Sequence, residues 1–338
     1  MKVVQPSQLE KLLAAALAAA GTPDDVAKVV AASLVDSNLK GVDSHGATRI
    51  VMYLDQIKEG YIQPAARPEI VRESPTTAVV RGHLGFGIHA LGFAMDVAIR
   101  KAKAAGVAAV GLVENTHTGR LGWFVERAVE QNVIAILTGG GANRTARHQT
   151  VAPFGGAKRV LGTNPWALAA PGGEYGTVLV DMSTSMTAEG KLRLYRAKRE
   201  PAPPGWIMDK DGRPSTDAED FYAGGAILPA AGHKGYGLAL MSELLGDALL
   251  GLPYELNWFI VAVSIEAFRP LSEFLQASEE ILHKVKQVPP APGFDEVLIP
   301  GEPEARAAQR RAQEGIPIPD EIWQKIAEAA QRVGVDPH

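Results

Sequence analysis

Gly85-Phe86-Gly87-Ile88-His89-Ala90 decides how this chain of 338 residues is read. The stretch matches G-x-G-x-x-A, the pattern whose glycines tighten a strand-to-helix turn and let backbone approach a dinucleotide pyrophosphate. A β-branched run at 76–81 precedes it and an Ala-rich helical stretch at 90–104 follows. Glu114 closes the next strand-like run, 107–114, where a ribose-binding acid would stand. Two features argue against the fingerprint. The acid lies well beyond the offset of ~20 residues that the motif requires, and His83 with Gly82 crowds the strand exit. The turn therefore reads as glycine-eased packing, and a doubly wound nucleotide-binding sheet does not follow from it.

Outward from that turn, the pattern alternates in α/β fashion. Strands are expected at 76–81, 107–114 and 133–138, with helices at 90–104 and 120–131. Upstream, Leu9, Leu12, Leu13, Ala16, Leu17 and Ala20 repeat at helical spacing, and two helices fill 7–39. Ser7 and Glu10 have capping-box spacing. Residues 12–20 resemble a secretory core ending in A-x-A, but Glu10 stands where a signal peptide carries positive charge. A helix is expected at 48–58 and a connector at 59–75. The middle, 139–232, is rich in Gly, Pro and Thr, with strands at 166–170 and 177–182, a helix at 191–198 and a loop at 199–217. Helices at 234–250, 270–286, 303–313 and 320–333, with a strand at 258–265, complete the chain.

Composition narrows the function. Lys+Arg 34 against Asp+Glu 38 leaves a formal charge of −4, so there is no electrostatic pull toward nucleic acid or an anionic membrane. Aromatics are 6% and are not interleaved with basic residues, which argues against a base-stacking surface. The absence of cysteine removes disulfides, thiolate metal sites and a cysteine nucleophile. No apolar stretch reaches the ~18 residues of a membrane span, and a cytoplasmic enzyme is expected.

Four polar knots place ionisable groups beside glycine. In Asp43-Ser44-His45-Gly46, Arg49 and Tyr53 follow four residues apart on one helical face. Histidine suits proton transfer near neutral pH and arginine a two-pronged grip on carboxylate. In Asn115-Thr116-His117-Thr118-Gly119-Arg120, backbone N–H groups at the next helix start offer a phosphate site with Arg120 assisting. Asp181-Met182-Ser183-Thr184-Ser185, followed by Glu189-Gly190-Lys191, suits ribose and phosphate hydrogen bonding or an ordinary turn. Gly232-His233-Lys234-Gly235-Tyr236-Gly237 has the outline of an anion site but not the Walker A spacing.

Taken together the knots resemble the type-2 malate/L-lactate dehydrogenase family, most like its hydroxycarboxylate dehydrogenase B branch. The matching pieces are Ser44-His45-Gly46 with Arg49, His117-Thr118-Gly119, Ala152 to Gly156, Leu161 to Pro165, Asp181 to Ser185, Gly190-Lys191, Gly205-Trp206, Gly232 to Gly237 and Pro300 to Glu304. Gly139 to Arg144 departs from the polar segment usual there. The resemblance implies an α/β (α+β) protein whose dinucleotide domain has a mostly antiparallel or mixed sheet unlike the Rossmann fold. It also implies NAD or NADP as cofactor, a small 2-hydroxy or 2-oxo acid as substrate, and a homodimer. On this reading a helical substrate and dimerisation domain comprises 1–115 with 290–338, and 116–289 binds the cofactor. His45 or His117 would be the proton acceptor or donor, Arg49 the carboxylate clamp, Ser44 the residue orienting His45, and Lys191 a further catalytic group. His45, Thr118, Gly119, Arg120, Leu121, Asp181, Met182, Ser183, Thr184, Ser185, His233, Lys234, Gly301, Glu302, Pro303 and Glu304 would surround the cofactor. Two other classes stay open from the residues alone: a metal-dependent lyase with Asp43, His45 and His117 as ligands, and a non-catalytic anion-binding protein.

Overall fold

The computed structural model describes residues 1–145 and 148–337. The chain opens with strand β1 (Lys2–Val4) and helices α1 (Pro6–Ala19), α2 (Asp24–Leu39) and α3 (Arg49–Lys58). Leu9, Leu13 and Leu17, four residues apart, are fully buried along one side of α1. The capping box does not form. The helix starts one residue earlier than Ser7, because Pro6 holds the first position with its φ already helical and Gln5 is the N-cap without a side-chain bond.

Next come β2 (Glu69–Glu73), β3 (Thr77–Arg81), α4 (Gly87–Ala105), β4 (Val107–Val113), α5 (Gly122–Val129), β5 (Val133–Gly140), β6 (Trp166–Pro171) and β7 (Thr177–Met182). β2 lies in the stretch expected to be a connector. It pairs with β3 around a bulge between Ile70 and Arg72, and as a charged, largely exposed edge strand it lacks the hydrophobic alternation that would have announced it. Helix α6 (Glu189–Lys198), two-residue strands β8 (Ile207–Met208) and β9 (Pro214–Ser215), α7 (Ala218–Tyr222), β10 (Ala226–Ile227), α8 (His233–Glu243) and β11 (Asn257–Ser264) follow. The chain ends with α9 (Leu271–Lys286), α10 (Glu302–Glu314), β12 (Ile316–Ile318) and α11 (Asp320–Arg332). The expected helix at 234–250 is split, since a π-helical turn at Leu244–Ala248 follows α8.

Seven strands form the central sheet in the order β2-β3-β4-β11-β5-β6-β7. β3 and β4 run parallel around α4; the other neighbouring pairs are antiparallel. α4 covers β3, β4 and β11, and α5 covers β5, β6 and β7 beside it. Ala135 and Leu137 face this buried layer, whereas Thr138 and Gly140, on the alternate side of β5, meet Ser242 at the end of α8. α2 packs over α4 and α5, α1 packs on α2, and α3 and α11 pack on α1 and on each other, with the two chain ends tied by the β1–β12 ladder. One hydrophobic core therefore joins the terminal helices to the sheet. A boundary at residue 115 falls between two strands of that sheet. A second, smaller core of Val151, Leu161, Leu192, Ile207, Phe221 and Ile227 lies by the three-stranded sheet β10-β8-β9. Among the described residues no helix is long and apolar enough to cross a membrane.

Candidate active site

Because β3 and β4 are parallel neighbours, the turns that follow them leave the sheet at the same edge. The turn after β3 carries the glycine fingerprint, and its glycines face protein. A Cβ on Gly87 would stand 1.9 Å from the Thr116 carbonyl oxygen and 2.7 Å from that of His117. The Gly87 N–H donates to Thr116 Oγ1 at 3.2 Å, and that hydroxyl donates to the Gly85 carbonyl at 2.8 Å. The helix start that a pyrophosphate would occupy is sealed by the second turn. Packing, as expected, explains these glycines.

The 43–47 turn is organised by Asn38, the penultimate residue of α2. Its Oδ1 accepts the Ala47 N–H at 2.7 Å and its Nδ2 donates to Asp43 Oδ1 at 2.6 Å. A Cβ on Gly46 would fall 2.3 Å from the same amide, so only glycine closes the turn here. Arg311 reaches in from α10 and donates to both Asp43 oxygens, at 2.7 and 3.2 Å. Asp43 is thus a structural anchor, and the lyase reading is not supported. Its proposed carboxylate ligand is turned to Arg311, and among the described residues no three His, Asp or Glu side chains gather into a metal cluster.

Ser44 Oγ lies 3.0 Å from His45 Nδ1. Arg49, the first residue of α3, donates through Nε to the Ser44 carbonyl at 2.7 Å and through Nη1 to Met52 Sδ at 3.7 Å. One turn later, fully buried Tyr53 places its hydroxyl 2.8 Å from His117 Nδ1. The His45 and His117 rings stack with centroids 5.8 Å apart and an interplanar angle of 17°. Residues 45 and 117, on either side of α4, therefore share one cleft. Burial, reinforced by the charges of Arg49 and Arg120, pushes the His45 pKa down to about 4. Burial, with Arg49, His45 and His148 nearby, holds His117 well below the ordinary histidine value. Both rings are neutral at pH 7.

Two of the donors expected to hold a phosphate at the start of α5 are already engaged by the protein. The Gly122 N–H is taken at 2.7 Å by Asp181 Oδ2. Arg120, 3% exposed, gives Nη2 to Asp36 at 2.9 Å and to Glu126, with Lys40 bridging the same two carboxylates. A buried guanidinium so paired holds α5 to α2 and is not free for a phosphate. The hydroxyls of Ser183, Thr184 and Ser185 close their own turn, on Ser185, Thr163 and Thr187 carbonyls. At α8 the anion site is also weaker than its outline: Lys234, Gly235 and Tyr236 return their N–H groups to the carbonyls of residues 230–232. The exposed side chains of His233 and Lys234 remain. Phe154, which meets the His233 ring edge-on at 6.0 Å, lines a cavity of about 330 Å³ together with Met186, Leu228, Gly156, Gly205 and Gly232. Glu302, at the start of α10 just after Gly301, is bonded to Lys286 at 2.9 Å, to the Ile299 N–H at 3.0 Å and to Arg306. Lys191 is exposed on the first turn of α6, whose Glu189 and Arg193 lie close enough to act on Arg49. Asn38 and the contact of Tyr53 with His117 are what the sequence did not announce. The four-residue spacing from Arg49 was the available signal for Tyr53.

This arrangement sets two neutral imidazoles beside a guanidinium held by the turn before it, on an α/β scaffold. The chain belongs to the malate/L-lactate dehydrogenase family, whose model matches residues 4–327. It is 36% identical over 335 residues to the malate dehydrogenase of Pyrococcus abyssi, covering 93% of this chain and 90% of that protein. Hydroxycarboxylate dehydrogenase B of Escherichia coli O157:H7 is 31% identical over 328 residues, with 93% and 90% covered. The solved sulfolactate dehydrogenase from Methanocaldococcus jannaschii superposes with a TM-score of 0.90 at 35% identity, covering 99% of this chain and 98% of that one. The chain is thus a member of an oxidoreductase family of 2-hydroxyacid dehydrogenases.

Proposed function

We propose that the protein interconverts a 2-hydroxycarboxylate and its 2-oxo acid using NAD or NADP. The substrate is malate- or lactate-like, including the sulfonated and hydroxyphenylpyruvate-like acids. The observation that carries this reading is the stacked His45–His117 pair beside Arg49 in one partly buried cleft. The cavity walled by Phe154 and Met186 and floored by glycine fits a planar ring, and the exposed Lys234 and Asp181-Met182 suit the rest of a dinucleotide. On this basis those residues hold the cofactor, and the sheet with its single parallel pair is a dinucleotide-binding sheet outside the Rossmann pattern. Bound there, the nicotinamide supplies hydride transfer at C4.

The protein's own part is positioning and charge. Arg49, its Nε fixed by the Ser44 carbonyl, grips the substrate carboxylate and so sets C2 and its oxygen against the imidazoles. One histidine exchanges the hydroxyl proton, and Ser44 keeps His45 in place. Carboxylate binding also neutralises the Arg49 charge, which adds to burial in depressing both histidines. A homodimer goes with the same reading. Leu240, Met241, Leu244, Leu249 and Leu252 form an exposed apolar run along and beyond α8.

A panel of 2-oxo acids, including oxaloacetate, pyruvate, sulfopyruvate and hydroxyphenylpyruvate, tests this with NADH and NADPH at the nicotinamide absorbance band. Oxidation of one reduced cofactor by at least one member is expected. Silence across the panel, with folded protein and either cofactor, overturns it.

A further inference from the structure

The two imidazoles of the cleft are not equivalent, and their hydrogen bonds distinguish them. Two groups meet at His117 Nδ1. The first is the backbone N–H of Gly119, 3.3 Å away, which can only donate. Gly119 sits at φ +73°, and that conformation turns its N–H back onto the ring two residues earlier. The second is the Tyr53 hydroxyl at 2.8 Å, fully buried and with no other acceptor among the described residues. A buried O–H is not left unbonded when an acceptor lies within reach, so it too donates to Nδ1. The ring lone pair on Nδ1 receives both.

We infer that Tyr53 is a positioning residue that holds His117 in the tautomer with its proton on Nε2, making His117 the hydrogen-bond donor to the substrate's 2-oxygen and His45 the proton carrier. This assignment rests on the dehydrogenase reading of the cleft. Nδ1 cannot accept two donors and bear a proton, so the neutral ring is protonated on Nε2. Burial keeps the ring neutral and raises the Tyr53 pKa, so the phenol retains its proton. Nε2 has no partner among the described residues, and the ring is partly accessible.

His45 is bound differently. Its Nδ1 faces only the Ser44 hydroxyl, which accepts as readily as it donates. With Ser44 accepting from Nδ1–H, His45 Nε2 carries a lone pair. In the oxidative direction the substrate O–H bond breaks and its proton goes to His45 Nε2, giving imidazolium. The C2–H bond breaks, its electron pair and hydrogen leave as hydride to the oxidised nicotinamide, and the C2–O π bond forms. The Nε2–H of His117 stays in place and stabilises the charge that develops on oxygen, as a preorganised donor in a water-poor site does.

The test is ¹⁵N spectroscopy of the histidine rings in the full-length protein at pH 7.5, with His117→Gln identifying the His117 signals, alongside kinetics of Tyr53→Phe. In the wild type, His117 Nδ1 is expected in the non-protonated range and Nε2 in the protonated range. Tyr53→Phe keeps the ring that packs on Phe86. It is expected to bring the Nδ1–H tautomer into the spectrum and to lower kcat about tenfold or more, with KM changed by less than about threefold. A protonated Nδ1 in the wild type overturns the inference whether or not the variant folds, and so does Tyr53→Phe with full kcat. Because the spectrum is read without substrate, its failure is separable from that of the dehydrogenase reading, which the acid panel decides.

Discussion

Two glycine-bearing turns leave parallel strands side by side at one edge of the sheet, and only one of them brings a histidine to the His45 ring. The turn at 82–90 has the better motif, yet its clearance is filled by the chain itself. Gly82 donates to the Val113 carbonyl at 2.9 Å and Leu84 to that of Glu114 at 2.8 Å, and Gly87 abuts the Thr116 carbonyl. The turn at 114–122 has the poorer motif, yet it rests on the first and presents His117 to Tyr53 and His45. A glycine pattern reports that some backbone or ligand approaches closely. It does not say which, and here a neighbouring loop holds the place a phosphate would take.

Substitutions in the two turns break this contrast or sharpen it. The largest effect is expected at Gly87→Ala. Its Cβ 1.9 Å from a backbone oxygen cannot be accommodated by a rotamer change, so the 115–121 segment must move. A loss of ~3 kcal/mol or more is expected, together with loss of turnover. Thermal melting and steady-state rates check it, and a variant with wild-type Tm and rate contradicts the packed-turn account. Gly119→Ala is milder. Its φ of +73° costs an L-residue about 1 kcal/mol, and Ile88 Cδ1, 3.3 Å from the new methyl, is a side-chain end that yields. Melting should fall by a few degrees while kcat drops disproportionately, since the N–H that fixes His117 is displaced. Equal percentage losses in stability and rate at both glycines would erase the distinction.

The smallest effect is one of pH. His45 and His117 are held below the ordinary histidine pKa in the folded protein, His45 at about 4 against 6.5. On acidification the unfolded chain takes up protons that the folded one refuses. Their contribution to stability is therefore complete above pH 6.5 and declines as pH falls toward 4. Melting temperature should drop across that window and less steeply in His45→Gln; an unchanged slope in the variant tells against neutral burial.

Much of the scaffold was legible. The helical periods of α1, α2 and α4 and the β-branched runs of β3, β4, β5 and β11 each satisfy a local rule, because each buries a face in one core. The misses have physical causes. β2 is an edge strand whose charges carry no period, the Ser7 capping box gave way to proline one residue earlier, and α8 ends in a π-turn that hydrophobicity does not encode. At the site, His45, His117 and Arg49 could be nominated from residue type and from resemblance. The roles of Asn38, Asp43, Asp181 and Arg120 could not, because each depends on a partner at least one turn or many residues away. Arg120 looked like a ligand contact and is found instead bonded to protein, and one Asp181 oxygen is spent on the Gly122 N–H; nothing in the hexapeptide around Arg120 foretells Asp36 and Glu126.

The measurement closest to the central claim is the steady-state response of Arg49→Lys with the best acid of the panel. A lysine retains the charge but not the two-pronged grip. The account predicts that kcat/KM falls about ten- to a hundredfold, with cofactor affinity and Tm unchanged. Undiminished kcat/KM in that variant would mean that the guanidinium beside the two imidazoles does not hold the substrate.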